Sequence, residues 1–315
     1  MSFFVFRSAS STGARELADT LGGRRLRKFE GGRFYGGRLS NHPINVRAGD
    51  VVVCWGAFLN GNLPAGVKVL NNVALHNKYE DAVTLKRAGV PTVEVSKTRP
   101  QDVQQPAGAD PAIQIHGDLV DLLEDLVEAP FARNEIYQRG VNDAVTRLQR
   151  LQNALAQPVP VGRRVPAGDW VGRVNNHMGG TDLLTPPPTP DFFVKKLTLV
   201  KEYRIHSFDG KSIRAGSKQP REGFANPHAW VRSYAGGWSI KYDDFKSKEK
   251  MRDLAASAVK ALGLTFGAVD IGELADKSLV VLEVNRSPGL EGGTVNAYAR
   301  AVEAWSQGRP LRAAA

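Results

Sequence analysis

The spacing of apolar residues changes character several times along the chain. "FFVFR" (Phe3–Arg7) is a short apolar run and reads as a buried strand. A small-residue loop from Ser8 to Gly13 leads into "ARELADTL" (Ala14–Leu21), which has helical spacing. "DVVVCWG" (Asp50–Gly56) and "VKVLN" (Val67–Asn71) read as second and third strands. Strand, loop, helix and strand in this order predict an α/β start. In "HNKYEDAVTLKRAGVPTVE" (His76–Glu94), Asn77 is a cap and Tyr79, Ala82, Val83, Leu85 and Lys86 fall at helical intervals. Gly89 ends that helix, and Pro91 leads into an extended segment.

Residues 99–111 are rich in Pro, Gln, Asp and Ala and read as a linker. Two amphipathic stretches follow. One aligns Leu119, Leu122, Leu123 and Leu126; the other aligns Val141, Val145, Leu148, Leu151 and Leu155. They predict a packed helical insert. Further on, "GDWVGRVNNHMGGTDLLTPPPTP" (Gly168–Pro190) begins as a strand, then passes through a Gly-containing polar loop into a proline-rich turn. Residues 191–219 read as strands meeting at turns, with "FDGK" (Phe208–Lys211) as the hairpin signal. "KSKEKMRDLAASAVKALGL" (Lys246–Leu264) reads as a helix stopped at Gly263.

The last pattern carries chemistry. "FGAVDIG" (Phe266–Gly272) and "LVVLEVN" (Leu279–Asn285) flank the polar connection "ELADKS". A turn centred between Asp276 and Lys277 sets Asp270 opposite Glu283, and strand alternation puts Asn285 on the same face. Two carboxylates and an amide then converge in an otherwise apolar hairpin. Facing carboxylates repel and are costly to desolvate. Either neighbouring Arg or Lys residues neutralise them, or they bind a hard cation such as Mg²⁺ through oxygen. Soft ligands are missing, which argues against Zn²⁺.

Composition narrows the class. The 315 residues are 42% hydrophobic and 23% charged, an ordinary globular mixture. No apolar run reaches the roughly 20 residues of a membrane span. "MSFFVFRSAS" lacks a basic n-region, so no signal peptide is expected. One cysteine, Cys54, excludes an internal disulfide framework, and a reducing cytoplasm fits. The net charge of +10 leaves polyanionic partners open, nucleic acid included, but no nucleic-acid motif supports one. The one basic cluster, "GGRRLRK" (Gly22–Lys28), reads as solvated surface.

"GAVDIGELADKSLVVLEVNRSPGLEG" resembles the C-terminal signature of ATP-grasp carboxylate–amine ligases. Upstream, "NKYEDAVTLKRAGVPTVE" resembles that family's linker helix, and "VKKLTLVKEYRIHSFDGKSI" its hinge strand and the strand after it. The resemblance implies an α/β (α+β) ATP-grasp fold. Residues 1–75 would form a pre-grasp domain, residues 76–194 a linker helix and lid subdomain with an unmatched insert at about 99–165, and residues 195–315 the metal-bearing subdomain.

By position, the resemblance makes Asp270, Glu283 and Asn285 ligands of Mg²⁺, with two ions and Glu283 as the bridge; Mn²⁺ could substitute. Lys78 would reach ATP phosphate. Lys196 would approach the adenine, with the backbone of Leu197 and Thr198 at its edge. Glu202 would serve the ribose or lie near phosphate, and Arg204 would contact phosphate or an acyl-phosphate. Where the family has a lid lysine, this chain has Arg173, which can hold phosphate bidentately. Gly179 and Gly180 would let backbone N–H groups approach phosphate, with His177 nearby. Arg286 is expected to hold the substrate carboxylate or the acyl-phosphate.

The implied reaction joins a carboxylate substrate to an amine, either of them a small molecule or a peptide or protein terminus. It consumes ATP, passes through an acyl-phosphate, and releases ADP and phosphate. Other readings stay open here: a nucleotide-binding protein of this fold without ligase activity, a basic nucleic-acid-binding protein on a degenerate ATP-grasp body, and a kinase or carboxylase on the same fold.

Overall fold

The computed structural model describes residues 1–7, 11–30, 33–36, 42–74, 76–98, 170–175, 181–184, 187, 189–225, 227–242, 245, 247–290 and 292–311. The linker, both amphipathic stretches of the insert, His177, Gly179 and Gly180 lie outside them. The chain divides into two units. The first comprises Met1–Val95, Leu197–Ala225 and Trp238–Ala315; the second comprises Ser96–Lys196 and Asn226–Gly237.

The first unit is mixed α/β and holds two larger sheets. A parallel sheet has the order β2 (Arg24–Leu26), β1 (Phe3–Phe6), β6 (Val51–Cys54), β7 (Lys68–Leu70). Its central strands are apolar throughout because both faces are covered. Val5, Val51 and Val53 pack under helix α1 (Thr12–Thr20) and helix α5 (Thr294–Ser306). Phe4, Phe6, Val52 and Cys54 pack on the other side with Leu26, Phe34 and Leu59. Phe34 belongs to a small antiparallel sheet of β3 (Lys28–Glu30), β4 (Arg33–Tyr35) and β5 (Pro43–Ile44).

Three of these features differ from the sequence reading. The basic cluster is not a uniform solvated face, since Leu26 and Arg27 inside it are buried. The small sheet lies where no strand was expected, because two- and three-residue strands are too short to show alternation. Helix α5 carries no side-chain N-cap bond at Gly293, so its start has no sequence signal of the usual kind.

The second large sheet is antiparallel, in the order β13 (Trp238–Lys241), β12 (Lys211–Pro220), β11 (Lys201–Phe208), β14 (Phe266–Glu273), β15 (Leu279–Asn285). One face packs on helix α4 (Glu249–Ala261). Tyr203, Ile205, Val269, Ile271, Val281 and Val284 meet Met251, Ala255, Ala258 and Val259 there. Helix α2 (Lys78–Arg87) adds Leu85 to the same core. Strand alternation sends Glu202, Arg204, His206 and Asp270 to the opposite face.

Two register shifts set which residues share that face. The β11–β12 turn is Asp209–Gly210, as expected, with both residues at positive φ (46° and 72°), the geometry of a tight hairpin. A shift then falls between His206 and Ser207, so Arg204 pairs with Gly216 and Tyr203 with Ser217. In the β14–β15 hairpin the pairing nearest the turn is offset by one from the expected register: Ile271 faces Val281 and Gly272 faces Val280. A shift at Asp270/Ile271, with Leu282 as the extra residue, restores Asp270 opposite Glu283 and Ala268 opposite Asn285. It also explains how Val281 and Val284, three apart, reach the same core.

The second unit contributes β9 (Trp170–Arg173), antiparallel to β10 (Phe192–Lys195), and the short helix α3 (Thr181–Leu184). Strand β8 (Val95–Ser96) lies where the two units divide. Among the described residues no helix is long and apolar enough to cross a membrane.

Within the first unit, buried Asn71 ties the parallel sheet to the antiparallel one. Its Oδ1 accepts from Thr265 N (2.7 Å) and Phe266 N (3.0 Å), and its Nδ2 donates to Phe266 O (2.8 Å). Three hydrogen bonds, two buried and one partly buried, at about 1 kcal/mol each predict that Asn71→Ala costs about 3 kcal/mol of stability. Chemical denaturation, read as a lowered midpoint at constant slope, checks it.

Candidate nucleotide- and metal-binding site

The site is built on the sheet face turned away from α4. Four adjacent strands set Gly216, Arg204, Asp270 and Glu283 in one cross-strand row. Gly216 has no room for a side chain: a Cβ there would sit 2.7 Å from Ile240 Cγ2 and 2.8 Å from Lys241 O. The next row places His206 beside Ala268 and Asn285. Helix α2 brings Lys78 over the row's Glu283 end.

Each acid on this face has a cation. Arg204 grips Asp270 with two bonds, Nε to Oδ1 at 2.7 Å and Nη2 to Oδ2 at 2.8 Å. Lys218 lies 3.6 Å from Asp270 Oδ2 and bonds Glu202. Lys78 Nζ donates to Glu283 Oε2 at 2.8 Å, and Asn285 Nδ2 donates to Glu283 Oε1 at 3.0 Å. Three cations therefore stand against three carboxylates.

These charges hold one another in the ionised state. Burial alone would raise the Asp270 carboxyl, but the charges of Arg204 and Lys218 bring it below the usual carboxylate range. Burial would likewise lower Lys218, yet Asp270 and Glu202 raise it. His206 is different. It lies wholly buried between Tyr298 Oη (3.2 Å from Nδ1) and Tyr242 Oη (3.0 Å from Nε2). Burial, reinforced by the charge of Arg204, pushes it down to about 3, so it is neutral at pH 7.

The expected residues fall into groups. Lys78, Glu202, Arg204, Asp270, Glu283 and Asn285 come together here. Arg286 does not join them: Nη2 bonds Asp81 Oδ1 at 2.5 Å and Nη1 bonds Ala74 O at 2.9 Å. Leu197 and Thr198 lie in the irregular segment before β11. In the second unit, Arg173 Nε pairs with Asp182 Oδ2 at 2.6 Å, and Lys196 Nζ sits 5.0 Å from the Trp230 ring centre.

Lys218, His206 and Asp81 had no sequence signal. Lys218 was hidden by the shift at His206/Ser207. A uniform register from the Asp209–Gly210 turn would have sent it to the α4 face.

Among the described residues no three His, Cys, Asp or Glu side chains converge as a metal group. The donor set is two carboxylates and an amide, all hard oxygen, which fits Mg²⁺ or Mn²⁺ and not a soft ion. Asn285 turns its Nδ2 to Glu283, so Oδ1 is not engaged in that bond.

No protein-family model matches the chain, and comparison with curated protein sequences finds no match. Solved structures do resemble it. One is the ATP-grasp ligase PsnB complexed with a minimal precursor, at 15% identity and a TM-score of 0.46, covering 96% of this chain and 99% of that one. Another is the macrocyclase MdnC of Microcystis aeruginosa MRC bound with precursor peptide MdnA, at 10% identity and 0.47, covering 96% and 99%. A third is the D-alanine–D-alanine ligase of Bacillus anthracis complexed with ATP, at 11% and 0.45, covering 98% and 99%.

Removing Arg204 would leave Asp270 buried without its main counter-charge. Arg204→Ala is expected to cost about 3–5 kcal/mol at pH 7. Because the folded Asp270 carboxyl lies below its unfolded value, its stabilisation is present above the ordinary carboxylate range and is lost as pH falls through the folded value. In the variant burial raises the carboxyl with Lys218 left to oppose it, so it takes up its proton at a higher pH than in the wild type. The gap in Tm between wild type and variant should therefore close in acid, measured as Tm against pH.

Proposed function

We propose that this chain is an ATP-dependent carboxylate–amine ligase of the ATP-grasp kind, using Mg²⁺. The observation that carries the reading is the cross-strand row Arg204–Asp270–Glu283 with Lys78 closing over it. The motifs that resemble the family's metal strands and linker helix meet on one face.

Asp270, Glu283 and Asn285 would hold Mg²⁺, which when bound neutralises charge on the β- and γ-phosphates. Lys78 and Arg204 are paired with the same two carboxylates. With nucleotide present, Lys78 exchanges Glu283 for a phosphate oxygen, and Arg204 keeps Asp270 ionised while its remaining donors face the transferred phosphoryl group. Lys218 adds positive charge behind Asp270.

The substrate carboxylate attacks the γ-phosphorus, forming a C–O–P linkage as the bond to ADP breaks. The amine then attacks the acyl carbon, and inorganic phosphate leaves as the nitrogen gives up its proton. Phosphoryl transfer of this type needs positioning and charge neutralisation more than a protein nucleophile. Neutral His206, held by two tyrosines, keeps the cationic end of the row from gaining a further charge. A peptide carboxylate and a small acid are both candidate substrates; the solved PsnB and MdnC structures hold precursor peptides.

Glu283→Gln removes one of the carboxylates that would hold Mg²⁺ and is expected to lower Mg-dependent ADP release by about 100-fold or more, with an unchanged far-ultraviolet spectrum. ADP and phosphate release against a panel of acids, amines and acidic peptides checks the reaction. Nucleotide binding with no amine-dependent release across the panel would leave a nucleotide-binding protein and reject the ligase reading.

A further inference from the structure

Two ion pairs join helix α2 to the end of β15, and they run in opposite charge sense. Lys78 of the helix bonds Glu283, and Asp81 of the helix bonds Arg286. Both pairs span 205 residues of sequence, because Lys78 and Asp81 are three apart just as Glu283 and Arg286 are. Residues three apart on a helix share a face, so both pairs look across the same seam.

The pairs differ in burial. The side chains of Lys78 and Glu283 are 29% and 32% exposed, those of Arg286 and Asp81 10% and 14%. Solvent and ligands compete for the first pair and much less for the second. Arg286 also donates to Ala74 O, in the segment leading to α2, so one guanidinium holds both the approach to the helix and its first turn. Burial raises the Asp81 carboxyl, and the charge of Arg286 opposes that shift. His76 adds a contact of 3.8 Å from the exposed side.

The helix does not need this pair in order to form. Asn77 and Glu80 make a complete capping box: Asn77 Oδ1 accepts from Glu80 N at 2.9 Å, and Glu80 Oε2 from Asn77 N at 3.1 Å. What the capping box cannot fix is where the helix sits relative to β15.

We propose that Asp81 and Arg286 form a positioning latch, which holds the first turn of α2 in register with β15 so that Lys78 stays over Glu283 when its ammonium passes to a nucleotide phosphate. Arg286 is then a positioning residue and not the substrate clamp expected from its place after Asn285. This rests on the nucleotide-binding reading of the site.

The test is a double-mutant cycle on the full chain, with MgATP binding measured by calorimetry and Tm measured in parallel. Lys78→Ala and Asp81→Asn should each weaken MgATP binding roughly tenfold, and together no more than Lys78→Ala alone, because the latch acts through Lys78. Their Tm losses should add. The pair Asp81→Leu with Arg286→Met strands no buried charge, so it should fold and show the same loss of MgATP affinity.

If Asp81→Asn lowers Tm but leaves MgATP affinity within about twofold, the latch is structural only and the inference falls. Additive losses of affinity would overturn it too. If Lys78→Ala leaves MgATP binding unchanged, the phosphate role of Lys78 fails, and the latch has nothing to position. A wild-type chain that binds no MgATP would instead reject the nucleotide reading itself.

Discussion

The two-pronged bond from Arg204 to Asp270 is the interaction on which this structure turns. A buried carboxylate is stable only if a cation meets it with matching geometry. Arg204 can do so because β11 and β14 pair Arg204 directly with Asp270. That pairing also sets Ile205 beside Val269 and Tyr203 beside Ile271 on the opposite face, against α4. A slip of one residue would expose that core and bury the charges without partners. The register is thus fixed from both faces at once.

The rest of the first unit serves the same row. The two register shifts, at His206/Ser207 and at Asp270/Ile271, let tight hairpins and a continuous α4 core coexist with a charged face. At one end the face is closed by aromatic rings: Phe266 stacks on Phe208 and Trp55, and Tyr298 meets Trp55 edge-on. Tyr298 also carries the hydroxyl that faces His206, so α5 joins the packing of that closed end to the neutral histidine. Beyond it lie Arg204, Asp270 and Glu283, where charge takes over from packing.

Charge balance explains why a basic chain can hold a quiet site. The acids and cations of the row match one for one, and the Asp81–Arg286 pair beside it is matched as well. A divalent ion on the carboxylates and phosphates near Lys78 and Arg204 would keep that balance, since each exchange replaces one pairing with another. An arriving anion alone would have to displace a carboxylate from Lys78 or Arg204, and an arriving cation alone would have to displace Lys78 or Arg204 from a carboxylate.

Much of this was legible in the residues. "FGAVDIG" and "LVVLEVN" are apolar enough to be strands and short enough to form a hairpin, and Asp270 opposite Glu283 follows from a turn between them. That pairing emerged although the register near the turn is offset by one, because a bulge at Leu282 returns it. Asn77 and Gly89 marked the limits of α2, since capping and positive φ leave direct traces in residue choice. Helix α5 and the small sheet left weaker traces and were missed.

Tertiary structure alone decided the partners. Nothing in the spacing of Arg286 says that its fork goes to Asp81 and Ala74, more than 200 residues earlier. Nothing in "IRAGSKQ" says that Lys218 backs Asp270, because one shifted residue in β12 settles which face it joins. Local sequence determines which strands and helices form, through periodicity, capping and turn geometry. Which charges meet depends on register and on contacts between distant segments, and those are fixed only when the whole core packs.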